Sequence, residues 1–116
     1  MNHFGALGDA TRLRMVEQLA EGDRTAGELS AVVREEFGVS QPAASRHLRV
    51  LREVGLVRSR VEGSRRIYSL DRDGVEAIGE WADRLRQLWG GSLSALGTEI
   101  ARGQRDRRYE SKGSQQ

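Results

Sequence analysis

Apolar residues recur at helical spacing in most of the chain and at alternate positions in one stretch. Leu13, Val16, Leu19 and Ala20 follow Asp9, a suitable cap, and stop at Gly22, which predicts a first helix. Leu29, Val32, Val33 and Phe37 form a second stripe, opened by Thr25-Ala26-Gly27-Glu28 and ended by Gly38. In that opening the Thr hydroxyl and the Glu carboxylate satisfy backbone N–H groups that the first turn leaves without partners. Ser40 then caps a third helix with Pro42 in its first turn, where a missing N–H costs nothing. Ala44, Leu48, Leu51 and Val54 share its buried face, His47 lies at the edge of that face, and Gly55 ends the helix.

The period then changes to two. "LVRSRV" and "RRIYSL" flank "EGS" at 62–64, which predicts a two-stranded hairpin with Tyr68 and Leu70 toward the core. From Asp71 or Asp73 the helical spacing returns through Val75, Ile78, Ala82, Leu85, Trp89, Leu93 and Leu96, interrupted at Gly90-Gly91. Residues 102–116 are polar and without period, so the domain is expected over 1–101, followed by a disordered tail. Helix, helix, tight turn, helix, hairpin, long helix is a mainly α fold with a small β-hairpin, a winged helix-turn-helix.

The polar face of the third helix changes the picture from fold to function. Pro42, Ser45, Arg46, Arg49 and Glu53 lie opposite its apolar face, with Arg52 beside them. Net charge is −3 over residues 1–40, +5 over 41–70, −3 over 71–101 and +3 over 102–116. A basic centre between acidic flanks marks a focused polyanion site. A helix of about 14 residues spans about 21 Å, long enough to place its first two turns in the major groove of double-stranded DNA. Gln41 and Ser45 offer hydrogen bonds to base edges, Arg46 suits guanine or a phosphate, and Arg49 and Arg52 suit phosphates. The helix N-terminus adds backbone donors for a phosphate oxygen. Arg65 and Arg66, just past Gly63, stand where a wing reaches an adjacent groove. The bland alternatives are a solvated helix for the first set and a solvated turn for the last two.

Size and composition narrow the remaining choices. A chain of 116 residues with 37% apolar content builds one core and is somewhat short of material for it, a shortage that contact with a second copy relieves. The absence of Cys removes disulfides, thiolate metal sites and thiol redox sensing. No apolar run approaches the ~20 residues of a membrane span and no signal peptide is visible, so a cytoplasmic location is expected. Two separated His and no carboxylate pair beside a base leave no nucleophile–base set, which argues against an enzyme. RNA binding lacks an aromatic stacking surface.

The runs "FGALGDATRLRMVEQLAEG", "AGEL", "SQPAASRHLRVLREVGLV" and "EGSRRIYSLD" closely resemble the ArsR family of bacterial transcriptional repressors over about residues 4 to 96. The resemblance implies a homodimer on a palindromic operator, with Gln41, Pro42, Ser45 and Arg46 facing the bases. It implies dimerisation through the terminal helices, with Leu7 in the first and Val75, Ile78, Ala82, Leu85, Trp89, Leu93 and Leu96 in the last. His47 matches a position near the core, open to a core or phosphate role, base reading or pH sensing. The stretch "SAVVREEFGVS" is longer than the family's usual form. The family's metal-binding Cys pair is replaced by Ser30 and Val32, and the last helix has no His. The nearest subgroup senses no metal and carries Trp residues on that helix, as Trp81 and Trp89 stand here. No cofactor is therefore expected, apart from an amino-terminal Ni(II) or Cu(II) chelate that Met1, Asn2 and His3 could form. The leading reading is a sequence-specific DNA-binding regulator, with an effector or partner protein unidentified. The alternative is a protein-interaction module or co-regulator that needs a partner protein for tight DNA binding.

Overall fold

The computed structural model describes residues 1–90; Met1–Gly79 form one compact unit, and residues 80–90 belong to a second. The first unit opens on a helix that no periodicity announces, α1 (His3–Leu7), whose cap Asn2 accepts from the Gly5 N–H at 2.8 Å. In α2 (Ala10–Glu21) the Asp9 carboxylate accepts from the N–H groups of Thr11 and Arg12, as its position predicts. The buried face of α2 differs from expectation. Thr11, Met15, Gln18 and Leu19 point inward, while Leu13 is 41% exposed and Ala20 is also exposed. Steps of four residues through Thr11, Met15 and Leu19 keep that face aligned over two turns. Leu13 and Ala20 fall on the opposite side.

Thr25 serves two elements at once. It ends the two-residue strand β1 (Arg24–Thr25) and caps α3 (Ala26–Phe37), accepting from Glu28 N–H at 3.1 Å while its own N–H donates to the Glu28 carboxylate at 2.8 Å. Leu29 and Val33 are fully buried, with Ser30 beside them. Phe37, on the last residue of α3, is 44% exposed rather than part of the core. Gly38 closes the helix at φ 70°, a left-handed cap that suits glycine. After the Gly38–Ser40 turn comes α4 (Gln41–Glu53), with Ser40 Oγ accepting from Ala43 N–H. Ala44, Leu48 and Leu51 are its buried face, each buried Leu stabilising by about 1.5–3 kcal/mol. Leu56 N–H to Leu51 carbonyl and Gly55 N–H to Arg52 carbonyl then close α4 in a Schellman arrangement.

The wing is β2 (Val57–Glu62) and β3 (Arg65–Leu70), joined at Gly63-Ser64 with Glu62 opposite Arg65 and Gly63 at φ 63°. The expected two strands gain a third: β1 pairs with β3 in a sheet of order β1-β3-β2. β1 is too short to leave an alternation signal. Tyr68 is buried and Leu70 packs against the core, as predicted, and Ile67 is buried too, between Thr25 and Arg60 in the register. Residues 72–79 are helical. Asp71 is their cap, accepting from Asp73 and Gly74 N–H. A Cβ on Gly74 would lie 2.1 Å from the Gly55 carbonyl oxygen, so backbone meets backbone there.

Of the residues assigned to a dimer seam, Leu7 and Ile78 pack against the unit's own core, and Val75 is 41% exposed. In the second unit residues 80–90 are helical, with Ala82 half-buried and Trp81, Leu85 and Trp89 exposed. Leu93, Leu96 and the polar tail lie outside the described residues. No helix of the described residues is long and apolar enough to cross a membrane.

Candidate nucleic-acid interface

The outward face of α4 and Tyr68 of β3 enclose an open groove lined by Pro42, Ser45, Arg46, Arg49 and Arg52. These five α4 residues are all exposed, at three- and four-residue steps that keep them on one side of the helix. Among the described residues, the side chains of Arg46, Arg49 and Arg52 form no hydrogen bond or ion pair. Elsewhere Arg14 pairs with Glu36, Arg24 with Glu21 and Arg86 with Asp83. Three like charges side by side repel, modestly in water and more strongly in a less polar setting, so the face is poised for an anion.

Two expected features of the start of α4 differ in detail. Gln41 is exposed, but its amide is bridged to α3: Arg34 Nη1 donates to Oε1 at 3.3 Å, and Nε2 donates to Ser30 Oγ at 3.4 Å. Arg34 is thus a cation beside the start of α4 that sequence reasoning missed. Only its place in the last turn of α3, across the turn from Gln41, hints at it. The helix N-terminus is also less available than expected. Ser40 occupies the Ala43 and Ala44 N–H groups and Pro42 has none, which leaves the Gln41 N–H for a phosphate oxygen.

On the wing, Arg60 donates to Glu62 at 2.8 Å and to Asp23 at 3.0 Å. The bond to Glu62 and then that to Asp23 strengthen its hold on its proton. Arg66 donates to Ser59 Oγ at 3.1 Å. Arg65 is exposed and, among the described residues, forms no side-chain hydrogen bond or ion pair.

His47 turns inward, half-buried, with Nδ1 3.0 Å from Arg12 Nη1. Arg12 Nε donates to the Ala6 carbonyl at 2.8 Å. Nearby, burial works to raise the Asp9 carboxyl. The N–H bond from Arg12, the positive charge that His47 carries when protonated, the charge of Arg12, and the N–H bond from Thr11 outweigh it and hold Asp9 below the usual carboxylate range.

Among the described residues no three His, Cys, Asp or Glu side chains gather as a metal site. The proposed Met1-Asn2-His3 chelate is not assembled either. It needs the Asn2 and His3 amide nitrogens eclipsed about the Asn2 Cα–C bond, whereas ψ of −175° holds them anti and Asn2 caps α1 instead.

The profile of the bacterial regulatory protein, arsR family, matches residues 9–59, from the α2 cap into β2. The HTH-type transcriptional regulator Rv2034 of Mycobacterium tuberculosis is 44% identical over 79 residues, 68% of this chain and 70% of that protein. The chain belongs to the ArsR family. The transcriptional repressor SdpR of Bacillus subtilis is 31% identical over 80 residues, 69% of this chain and 84% of that one. In structure the chain is similar to the homodimeric winged helix-turn-helix DNA-binding domain Mb0332 of Mycobacterium bovis, a possible ArsR-family regulator. That match has a TM-score of 0.56 and 26% identity, and covers 73% of this chain and 75% of the other. This ArsR-family chain is a DNA-binding transcriptional regulator, a non-enzymatic class, on a winged helix-turn-helix fold.

Proposed function

We propose that this ArsR-family regulator reads double-stranded DNA with the outward face of α4 and represses transcription by occupying a palindromic operator as a homodimer. The observation that carries this reading is the row of exposed Arg46, Arg49 and Arg52, without partners among the described residues, beside Ser45 in one open groove. Ser45 and Arg46, in the first half of α4, are placed for base edges, together with Gln41. Arg49 and Arg52, further along the helix, are placed for phosphates. Arg65 at the wing tip reaches backbone beyond the groove.

Support for the dimer comes from the homodimeric Mb0332 domain and from the exposed apolar residues Leu85, Leu88 and Trp89 in the helical segment 80–90. Support for repression comes from SdpR. Sedimentation of the free protein with footprinting upstream of its own coding sequence tests both. A dimer protecting two half-sites about 10–10.5 base pairs apart, or a multiple of that, is expected. A monomer, or the absence of any protected site, contradicts the reading and directs attention to a partner protein.

A further inference from the structure

A single guanidinium joins three helices behind the DNA-reading face. Arg12 of α2 donates through Nε to the Ala6 carbonyl of α1 and directs Nη1 at His47 Nδ1 on α4. The planar guanidinium holds these donors at fixed angles, so the fork relates α4 to α1 in direction as well as distance. A guanidinium has donors only. Nδ1 must therefore be the acceptor, and the neutral imidazole carries its proton on Nε2. Protonation would set an N–H against an N–H and a second positive charge beside the first.

We propose that Arg12 and His47 are positioning residues for DNA recognition: the fork fixes the tilt of α4 against α1 and α2 only while the imidazole is neutral, so sequence discrimination is acid-sensitive. The proposal rests on the reading of α4 given above. Base edges demand close placement of Ser45 and Arg46, whereas phosphate contacts tolerate a shifted helix. Acid should therefore reduce preference among sequences without weakening electrostatic attraction to DNA.

Around His47, α2 contributes Arg12 and Asp9; the Asp9 carboxylate, held ionised, favours the imidazolium and so competes with the fork. On α3, Glu28 is engaged at its own cap, Glu36 with Arg14 and Arg34 with Gln41, and Glu35 is exposed. On β2, Arg60 and Glu62 pair with each other and Arg58 is exposed. On α4 itself Arg46 and Arg49 are exposed, and α1 contributes His3, the other histidine. The sign follows. The fork is intact while the imidazole is neutral and is lost when it is protonated, so acid opposes it.

The test uses the full chain, a labelled duplex from upstream of its own coding sequence, and a scrambled duplex. Anisotropy is read at about 150 mM salt, at about pH 8 and about pH 5.5, for wild type, Arg12→Gln, His47→Leu and His47→Asn. Thermal melts confirm that each is folded. Nitrogen NMR of the free protein reads the His47 tautomer. In His47→Asn the amide oxygen stands near the place of Nδ1, accepts from Arg12 and does not titrate. The expected tautomer at the higher pH is Nε2–H. Wild type should lose about tenfold of its preference on acidification, equivalent to about 1.4 kcal/mol, with scrambled binding undiminished. His47→Leu and Arg12→Gln should show that loss at both pH values, and His47→Asn at neither. An Nδ1–H tautomer, full preference in His47→Leu, or an acid loss that persists in His47→Asn (and so belongs to His3 or a carboxylate) overturns the proposal. If wild type prefers neither duplex, the DNA-reading assignment fails by itself. In that case a His47 signal unchanged in Arg12→Gln overturns the fork as well, and a changed tautomer supports it.

Discussion

On α4, Arg46, Arg49 and Arg52 face an open groove with no intramolecular partner among the described residues; on the wing, Arg60 is divided between Glu62 and Asp23, and Arg66 leans on Ser59. By residue type and exposure the two regions look alike. They differ in what stands next to these guanidinium groups, although Arg65 on the wing, like the α4 set, has no such partner among the described residues. A surface ion pair contributes only about 0–1 kcal/mol to stability, yet it commits the charge: Arg60 must give up a carboxylate before it can take a phosphate. The α4 arginines give up only water. Cationic residues in a DNA-binding protein are therefore better counted by availability than by number.

The comparison breaks most visibly at Arg46. Arg46→Ala should lower affinity for the protein's own upstream DNA by about 1–3 kcal/mol and for scrambled DNA by much less, read by fluorescence anisotropy. Next, Arg49→Ala and Arg52→Ala should each reduce the slope of log affinity against log salt by about one, equally on both duplexes. A smaller effect sharpens the wing side. Replacing both Asp23 with Asn and Glu62 with Gln frees Arg60 and should steepen the same slope, by at most about one. Smallest of all, Arg60→Ala in the otherwise unchanged protein should leave the slope where it was and change stability by less than about 1 kcal/mol in a denaturant titration. A slope reduced by Arg60→Ala as much as by Arg49→Ala would remove the distinction between the two regions.

The features that could be read directly from the chain are those whose cause is local. Asp9, the Thr25/Glu28 box, Ser40, Gly38 and Gly55 each act within a few residues, so their spacing alone located the helix ends. The buried face of α2 was legible only in part: Leu19 and Val16 pack inward as their spacing predicts, but Thr11 and Gln18 also lie inside and Leu13 outside. Apolar spacing cannot choose between two faces that tertiary packing ranks. β1 and α1 are two and five residues long, too short to show a period. The site divides in the same way. Pro42, Ser45, Arg46, Arg49 and Arg52 follow from the helical wheel, and the structure gathers them in one groove. Gln41 bridged to α3, Arg60 tied to Asp23 and His47 held by Arg12 join residues that the fold brings together from separate elements. No sequence window contains those pairs.

The most direct test of the account is the affinity of wild-type protein for duplex DNA from upstream of its own coding sequence against scrambled duplex, by anisotropy at about 150 mM salt. A preference of roughly a thousandfold or more for the upstream DNA is expected, lost in large part in Arg46→Ala. Near-equal, micromolar binding to both would contradict a self-sufficient DNA reader on α4.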